Sequence, residues 1–90
     1  MSKYKINHIE IEAIQWDGIN LEEISDLCND KYGMLECENG KDLEIYCKNG
    51  VNICSDGDYV IKIPTGECYP MNKYLFEIMY KLGVIFNAKL

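Results

Sequence analysis

The stretch DGDYVIKIPTGECYP, at residues 56–70, decides the fold of this 90-residue chain. Asp56-Gly57-Asp58 is typical of a turn, and the alternation from Tyr59 to Ile63 indicates a half-buried strand. Pro64-Thr65-Gly66 predicts a second tight turn, because proline and glycine supply the backbone angles that turns require. Glu67 to Tyr69 then forms a strand that Pro70 ends. The stretch therefore predicts an antiparallel hairpin.

A long first strand is predicted from Tyr4 to Trp16. Apolar and acidic residues alternate from Ile9 to Glu12, which is the period of a strand with one buried face. The alternation slips near Ala13. The slip indicates either a bulge or a strand that is covered on both faces.

Two Asn-Gly pairs, Asn39-Gly40 and Asn49-Gly50, predict two further hairpins, since both central residues of a type I′ turn need a positive φ. The strands that they connect are Met34–Glu38, Asp42–Lys48 and Val51–Cys54.

A first short helix is predicted from Leu21 to about Asn29 by its apolar spacing. Asn20 is the expected N-cap, with Glu23 as its capping-box partner.

A second helix is predicted from Lys73 to Leu82, with Asn72 as its N-cap and Gly83 at its end. Its apolar residues recur at i, i+3, i+4 and i+7 and are expected to face the core. They are Leu75, Ile78, Met79 and Leu82.

The order β-α-β-β-β-β-α-(β) predicts one α+β domain over residues 1–90, in which two short helices pack on an antiparallel sheet of four to six strands. The apolar tail, residues 84–90, is expected to form an extra edge strand or an intersubunit strand. A chain of this size has a limited core, so we also expect a homo-oligomer, such as a symmetric dimer.

The charge balance favours some classes of binding partner over others. Nine basic against fifteen acidic side chains give a net charge of −6, which disfavours binding of duplex nucleic acid and suits a basic protein surface. No apolar run approaches the ~20 residues that span a bilayer. The N-terminus leads into a charged strand rather than a signal region, which predicts a cytosolic protein.

Five cysteines are present, together with a single histidine, His8. Their number is odd and no two of them have the close spacing of zinc ligands, so no metal or other cofactor is predicted. We expect small buried thiols in a reducing compartment. The cysteines are Cys28, Cys37, Cys47, Cys54 and Cys68.

Two pairs of acids are spaced for shared chemistry, Glu10/Glu12 and Asp56/Asp58. In Asp-Gly-Asp, hydrogen bonds from the carboxylates to the turn backbone are the simpler explanation. No nucleophile–base pair or phosphate loop is visible, so a protein that is not an enzyme is predicted. The alternative is a small nucleotide hydrolase that uses Asp56 and Asp58.

The aromatic residues suggest a ligand site. Trp16, Tyr59 or Tyr69 would stack on a base, and Lys62 and Lys73 would contact phosphates. The alternative is that these rings build the core and an oligomer interface.

Both ends of the chain resemble a family of small, mostly uncharacterised phage and prophage proteins. The matching residues are Ile11-Glu12-Ala13-Ile14-Gln15-Trp16 with Asn20-Leu21-Glu22-Glu23, then Gly57-Asp58-Tyr59-Val60-Ile61-Lys62, Gly66-Glu67-Cys68-Tyr69-Pro70, and Phe76-Glu77 with Tyr80. Cys68 stands where that family usually has phenylalanine, and Met71-Asn72 replaces a Cys-Lys pair. The middle, residues 31–55, carries no such resemblance.

The resemblance implies a phage accessory protein made in the host bacterial cytoplasm. Such proteins often antagonise antiviral defence, so we expect a non-catalytic binder that sequesters a nucleotide-derived signal. The alternative is an inhibitor that places an acidic surface against a host defence protein, such as a CRISPR effector. Its acidic residues would include Glu10, Glu12, Glu22 and Glu23.

Overall fold

The computed structural model describes residues 2–6, 9–37 and 40–87. Within them the chain has an α+β fold, with two helices and eight strands in two antiparallel sheets, which confirms the predicted class. The elements are β1 (Ser2–Ile6), β2 (Ile9–Gln15), α1 (Leu21–Cys28), β3 (Tyr32–Cys37), β4 (Gly40–Cys47), β5 (Gly50–Cys54), β6 (Tyr59–Lys62), β7 (Cys68–Met71), α2 (Lys73–Lys81) and β8 (Ile85–Asn87).

The strands divide between a five-stranded sheet, in the order β7-β6-β2-β1-β8, and a three-stranded sheet, in the order β3-β4-β5. The predicted order had one strand before α1 and four between the helices, whereas the structure has two and five. The small sheet packs beside β7. The hairpin predicted from residues 56–70 is β6 and β7, and Ile61 pairs with Tyr69 in it.

The predicted long strand is a hairpin of β1 and β2, in which Tyr4 pairs with Ile11. The slip near Ala13 is not a bulge, because β2 keeps a continuous register with both β1 and β6. Instead, the end of β2 is covered on both faces. Ala13 contributes to one apolar core and Ile14 to the other.

The first core lies between the five-stranded sheet, α1 and the small sheet. Several of its side chains, including those of Trp16, Leu27 and Ile45, have no exposed surface. Its buried members are Ile14, Trp16, Ile24, Leu27, Cys28, Leu43, Ile45, Cys54, Val60 and Cys68.

The second core lies on the opposite face of the five-stranded sheet, beneath α2. Its buried members are Ile11, Ala13, Ile61, Phe76 and Ile85. Tyr4 and Tyr59 contact Phe76 edge-on and face-on, respectively, with ring centroids 5.2 and 3.8 Å away. Aromatic pairs of this kind add to the stability that burial provides.

Helix α1 begins where predicted, but its predicted capping box is absent. Asn20 occupies the cap position, yet its side-chain oxygen accepts from the backbone N–H of Asp17 at 3.0 Å. Its amide donates to the carbonyl of Gln15 at 2.9 Å. The Asn20 side chain therefore stabilises the turn after β2 instead of capping the N-terminus of α1.

Helix α2 is capped as predicted, since Asn72 accepts from the backbone N–H groups of Tyr74 and Leu75. The predicted core stripe is wrong for most of its members: Leu75, Ile78 and Leu82 are at least half exposed. Met79 is partly buried. The helix instead presents Phe76 to the sheet, because Tyr4 and Tyr59 provide aromatic surfaces there.

The hairpin of β4 and β5 lies where Asn49-Gly50 predicted it, but its two loop residues are Lys48 and Asn49. Gly50 takes the positive φ, +124°, as the first residue of β5. The predicted turn residue Asn39 lies outside the described residues. Pro70 does not end its strand, and it pairs with Val60 inside β7. β7 is an edge strand, where the missing N–H of proline is tolerated.

The C-terminal tail forms an edge strand as far as the structure describes it. β8 pairs with β1, and Ile85 is fully buried beneath α2. Residues 88–90 lie outside the described residues. Neither α1 nor α2 has the length and apolar character that crossing a membrane would require.

Candidate functional site

Trp16, the largest predicted stacking residue, lies in the first core. It has no exposed surface, and its indole N–H donates to the backbone carbonyl of Lys41 at 3.0 Å. Both faces of the ring are therefore covered by protein. In this structure Trp16 cannot stack on a base.

Tyr59 lies on the other side of the sheet, in the second core. Its ring is stacked on Phe76 at an interplanar angle of 11°, and burial raises the pKa of its hydroxyl, with smaller contributions from Tyr4 and Glu77. A cavity of about 230 Å³ borders the ring, together with Tyr4 and Tyr80. One face of Tyr59 is therefore already used by the core.

The remaining three predicted residues are dispersed. Lys62 pairs across the strands with Glu12. Tyr69 donates its hydroxyl proton to Glu67. Lys73 lies over the ring of its neighbour Tyr74, with Nζ 5.2 Å from the centroid. The structure does not bring the five predicted residues together in one pocket of the chain.

A larger cleft, with a volume of about 540 Å³, lies where three segments meet. This cleft, called the thiol cleft below, is bordered by the end of α1, the β4–β5 hairpin and the turn between β6 and β7. Its volume is within the range of small-molecule sites. The side chains that define its chemistry are Cys28, Lys31, Tyr46, Cys47, Lys48 and Cys68.

Local backbone geometry positions the first two sides of this cleft. Asn29 and Asp30 both have positive φ, 52° and 62°, so the chain reverses sharply at the end of α1. The carbonyl of Lys31 then accepts from the backbone N–H of Tyr46 at 3.1 Å, which ties the helix end to β4. Lys31 and Lys48 are thereby placed on the same cleft.

Tyr46, a residue that is 46% exposed, gives the cleft an accessible aromatic ring. Its hydroxyl lies directly over Gly33, where a Cβ atom would be only 2.5 Å away. A side chain at position 33 would therefore displace the end of the Tyr46 ring. This ring offers a stacking surface that the sequence analysis did not identify.

The third side of the cleft is the turn after β6. Gly66 has a φ of +93° and donates to the carbonyl of Ile63 at 2.9 Å, which closes the turn. Glu67 accepts from Tyr69 and Thr65, and its carboxylate is stabilised by these hydrogen bonds. The bond from Tyr69 is the largest cause of its lowered pKa, and Lys48 and Lys31 contribute to the same shift.

The thiol cleft therefore carries two lysines against one carboxylate, in a chain whose net charge is −6. The carboxylate is already occupied by hydrogen bonds from Tyr69 and Thr65. An anion that enters the cleft would meet Lys31 and Lys48, since both ammonium groups lie on exposed residues.

Three thiols border the cleft. Cys47 donates to the backbone carbonyl of Cys68 at 3.0 Å, and Cys68 Sγ lies 3.6 Å from the carbonyl of Leu27. Cys28, Cys54 and Cys68 are buried free thiols, as the sequence predicted, whereas the free thiol Cys47 is only half-buried. The side chain of Cys37 is not described.

Of the predicted acid pairs, Asp58 has clear structural partners. Asp58 accepts from the backbone N–H of Ser55 with one oxygen and from that of Lys73 with the other, at 3.2 and 3.1 Å. These bonds match the predicted turn chemistry. Glu12 has one buried oxygen without a hydrogen-bond partner in the described part of the chain. No group of three or more His, Cys, Asp or Glu side chains there is arranged to hold a metal ion.

The predicted acidic surface is only partly formed. Glu10 is exposed and lies 3.9 Å from the ammonium of Lys3, whereas Glu12 is half-buried opposite Lys62. Glu22 and Glu23 are exposed on α1, together with Asp26. The acidic surface of the structure is therefore best represented by α1.

The sequence analysis missed the thiol cleft because its residues are far apart in the chain. Lys31 and Lys48 each lie next to a chain reversal, but neither forms a motif with a neighbour. The presence of lysines beside two turns was the only available signal. Comparison with protein-family models, curated proteins and solved structures gives no match to this chain.

Proposed function

We propose that this chain is a non-catalytic binding protein that holds a small anionic ligand, most concretely a nucleotide-derived signal, in the thiol cleft. The observation that supports this function is the combination of Lys31, Lys48 and the exposed ring of Tyr46 around one cavity of about 540 Å³. Lysines bind phosphates as point charges, and an aromatic ring can stack on any of the nucleobases.

The biological role follows from the resemblance to phage proteins. As a phage-encoded accessory protein in the bacterial cytoplasm, the chain would sequester a signal that the host's antiviral defence produces. Sequestration needs affinity and no turnover. The carboxylate of Asp58 suits that role, because both of its oxygens are engaged by backbone N–H groups.

Calorimetry with a panel of linear and cyclic nucleotides tests this function. Replacing both Lys31 and Lys48 by glutamine should weaken binding at least tenfold, because charge-assisted contacts with phosphate are lost. The matched control replaces Lys3 and Lys73, which do not border the cleft, and should leave the affinity unchanged. Absence of binding across the panel, or a larger loss in the control, would contradict the proposal.

The aromatic contribution can be separated from the ionic one. Tyr46→Ala should remove binding that persists at high ionic strength, whereas Tyr46→Phe should retain it, since the ring rather than the hydroxyl stacks. Equal behaviour of the two variants would exclude stacking on Tyr46. Phosphate release from the panel with divalent metal present, abolished by Asp58→Asn, would instead identify the chain as a hydrolase.

A second candidate function is inhibition of a basic host defence protein by the outer side of α1. The observation that favours it is the exposed acidic group of Glu22, Glu23 and Asp26 on one short helix. Mass spectrometry of material that co-purifies from defence-expressing cells distinguishes the two functions. A stoichiometric polypeptide lost in Glu22→Lys/Glu23→Lys would support inhibition, and a released nucleotide would support the cleft.

A further inference from the structure

Two of the five cysteines have been brought together from distant parts of the chain. Cys28 ends α1 and Cys68 begins β7, and both border the thiol cleft and the first core. Cys68 Sγ lies 3.6 Å from the carbonyl of Leu27, the residue next to Cys28. The pKa of each thiol is shifted mainly by a hydrogen bond to the other.

We propose that Cys28 and Cys68 are a redox pair, which a small hydroperoxide such as hydrogen peroxide converts into a disulfide between α1 and β7. This modification site does not depend on the proposed nucleotide binding. It rests on the 3.6 Å approach of Cys68 Sγ to the carbonyl beside Cys28, and on the shared position of both residues at the cleft, through which a small oxidant can approach.

The two thiols have different roles in such a reaction. The hydrogen bond with Cys28 lowers the pKa of Cys68, and the ammonium groups of Lys62 and Lys31 add to that effect. The same hydrogen bond and burial raise the pKa of Cys28. Cys28 also lies at the C-terminal end of a helix, where the dipole disfavours a thiolate. Cys68 is therefore the attacking thiol and Cys28 the resolving one.

The atoms balance in two steps. The Cys68 thiolate attacks one peroxide oxygen, the O–O bond breaks, and the hydroxide that leaves takes a proton to become water. Cys28 then attacks the sulfur of the resulting sulfenic acid. The S–S bond forms, the S–O bond breaks, and a second water leaves with the proton of Cys28. Two thiols and one hydrogen peroxide yield one disulfide and two waters.

The neighbouring thiols are held differently. Cys47 donates to the carbonyl of Cys68 at 3.0 Å, so its sulfur is bonded to backbone rather than to a second sulfur. Cys54 has no exposed surface, and its Sγ lies 3.9 Å from the carbonyl of Ser55. Burial, followed by the charges of Asp58 and Asp42, raises the pKa of Cys54 to about 12. Cys54 therefore does not compete as the attacking thiol, and peptide mapping distinguishes Cys47 from Cys68.

A disulfide at this place has a structural consequence. It would close a loop of about 40 residues that includes the whole small sheet, and long loops lose the most unfolded-state entropy when they are cross-linked. We therefore expect the oxidised protein to unfold at a higher denaturant concentration than the reduced protein.

The test treats the reduced full-length chain with hydrogen peroxide under native conditions. Intact mass spectrometry should show a loss of about 2 Da, for the two hydrogens removed. Peptide mapping should place the new bond between residues 28 and 68. A disulfide that involves another pair of cysteines, or oxidation of Cys68 to a sulfinic acid without a disulfide, would overturn the proposal.

Variants assign the two roles. In Cys28→Ala a sulfenic acid should accumulate at Cys68 and be trapped by dimedone, because no resolving thiol remains. In Cys68→Ala no disulfide should form. The matched control Cys54→Ala alters the same core and should still form it. If Cys28→Ala does not fold, partial alkylation of the native parent chain identifies the more reactive thiol. Faster labelling of Cys28 than of Cys68 would contradict the assignment of Cys68 as the attacking thiol.

Discussion

The two faces of the five-stranded sheet are closed in different ways. The first core is covered by α1 and a second sheet, and residues such as Trp16, Ile24 and Leu43 lose all contact with solvent. The second core is covered mainly by the nine residues of α2, which leave Leu75 and Ile78 half exposed. The difference teaches that the first core is complete within one chain, whereas the helix over the second core retains apolar surface that the chain does not bury.

The largest expected effect is on the first core. Trp16→Ala should lower the free energy of unfolding by about 5 kcal/mol, because the cavity is enclosed on all sides and the carbonyl of Lys41 loses its indole donor. Phe76→Ala in the second core should cost about 3 kcal/mol, since α2 can move toward the sheet. Urea denaturation measures both. A larger loss of stability for Phe76→Ala than for Trp16→Ala would show that the second core contributes more than the first.

Alkaline pH should also act on the first core. Cys54 has a pKa of about 12 in the folded chain against 9.0 for a free thiol. The unfolded chain therefore loses this proton first as the pH rises. Stability is fully present below pH 9 and should fall between pH 9 and 12, by up to about 1.4 kcal/mol per pH unit from this group. Cys54→Ala should have a shallower pH dependence in urea denaturation. An unchanged slope would show that Cys54 does not titrate in this range.

The helix caps provide a smaller test. Asn72→Ala should destabilise the chain by about 1 kcal/mol, because two N–H groups at the start of α2 lose their acceptor. Glu23→Ala should change stability by less than about 0.5 kcal/mol, since α1 has no capping box. Thermal unfolding of the two variants measures the difference. Equal losses would mean that Glu23 contributes to the cap after all.

The smallest effect on folding is expected from Ile78→Gln in α2. This change tests the exposed apolar surface of that helix. Leu75, Ile78 and Leu82 are spaced at i, i+3 and i+7, which suits packing against the same helix of a second copy. We expect the parent chain to self-associate through this surface. The variant should have a lower apparent mass in light scattering, with stability changed by less than about 0.5 kcal/mol.

Two comparisons test this prediction. Glu77→Gln, a neighbouring exposed change on the same helix, should leave the apparent mass unaltered. Removal of residues 84–90 would also delete β8 and the buried Ile85, so it tests the edge strand together with the second core. A parent chain that is monomeric at high concentration would contradict self-association.

Much of the fold could be predicted because its signals are local. Turn residues and periodicity located the β6–β7 hairpin, α1 and the cap of α2, since each depends on neighbours a few residues away. The thiol cleft could not be predicted in this way. Its sides come from residues 28–31, 46–48 and 65–68, which meet only because the small sheet packs beside β7.

The sequence by itself determined the two helices, the β4–β5 and β6–β7 hairpins and the acidic charge, but not that the first predicted strand is two strands. Only the tertiary structure decided which apolar side of α2 faces inward and that Trp16 is buried rather than exposed for stacking. Periodicity shows that a helix has an apolar side. Where a helix has two apolar sides, the shape of the surface opposite it decides which side packs inward. Here the rings of Tyr4 and Tyr59 pack against Phe76, so the side of α2 that carries Phe76 faces inward.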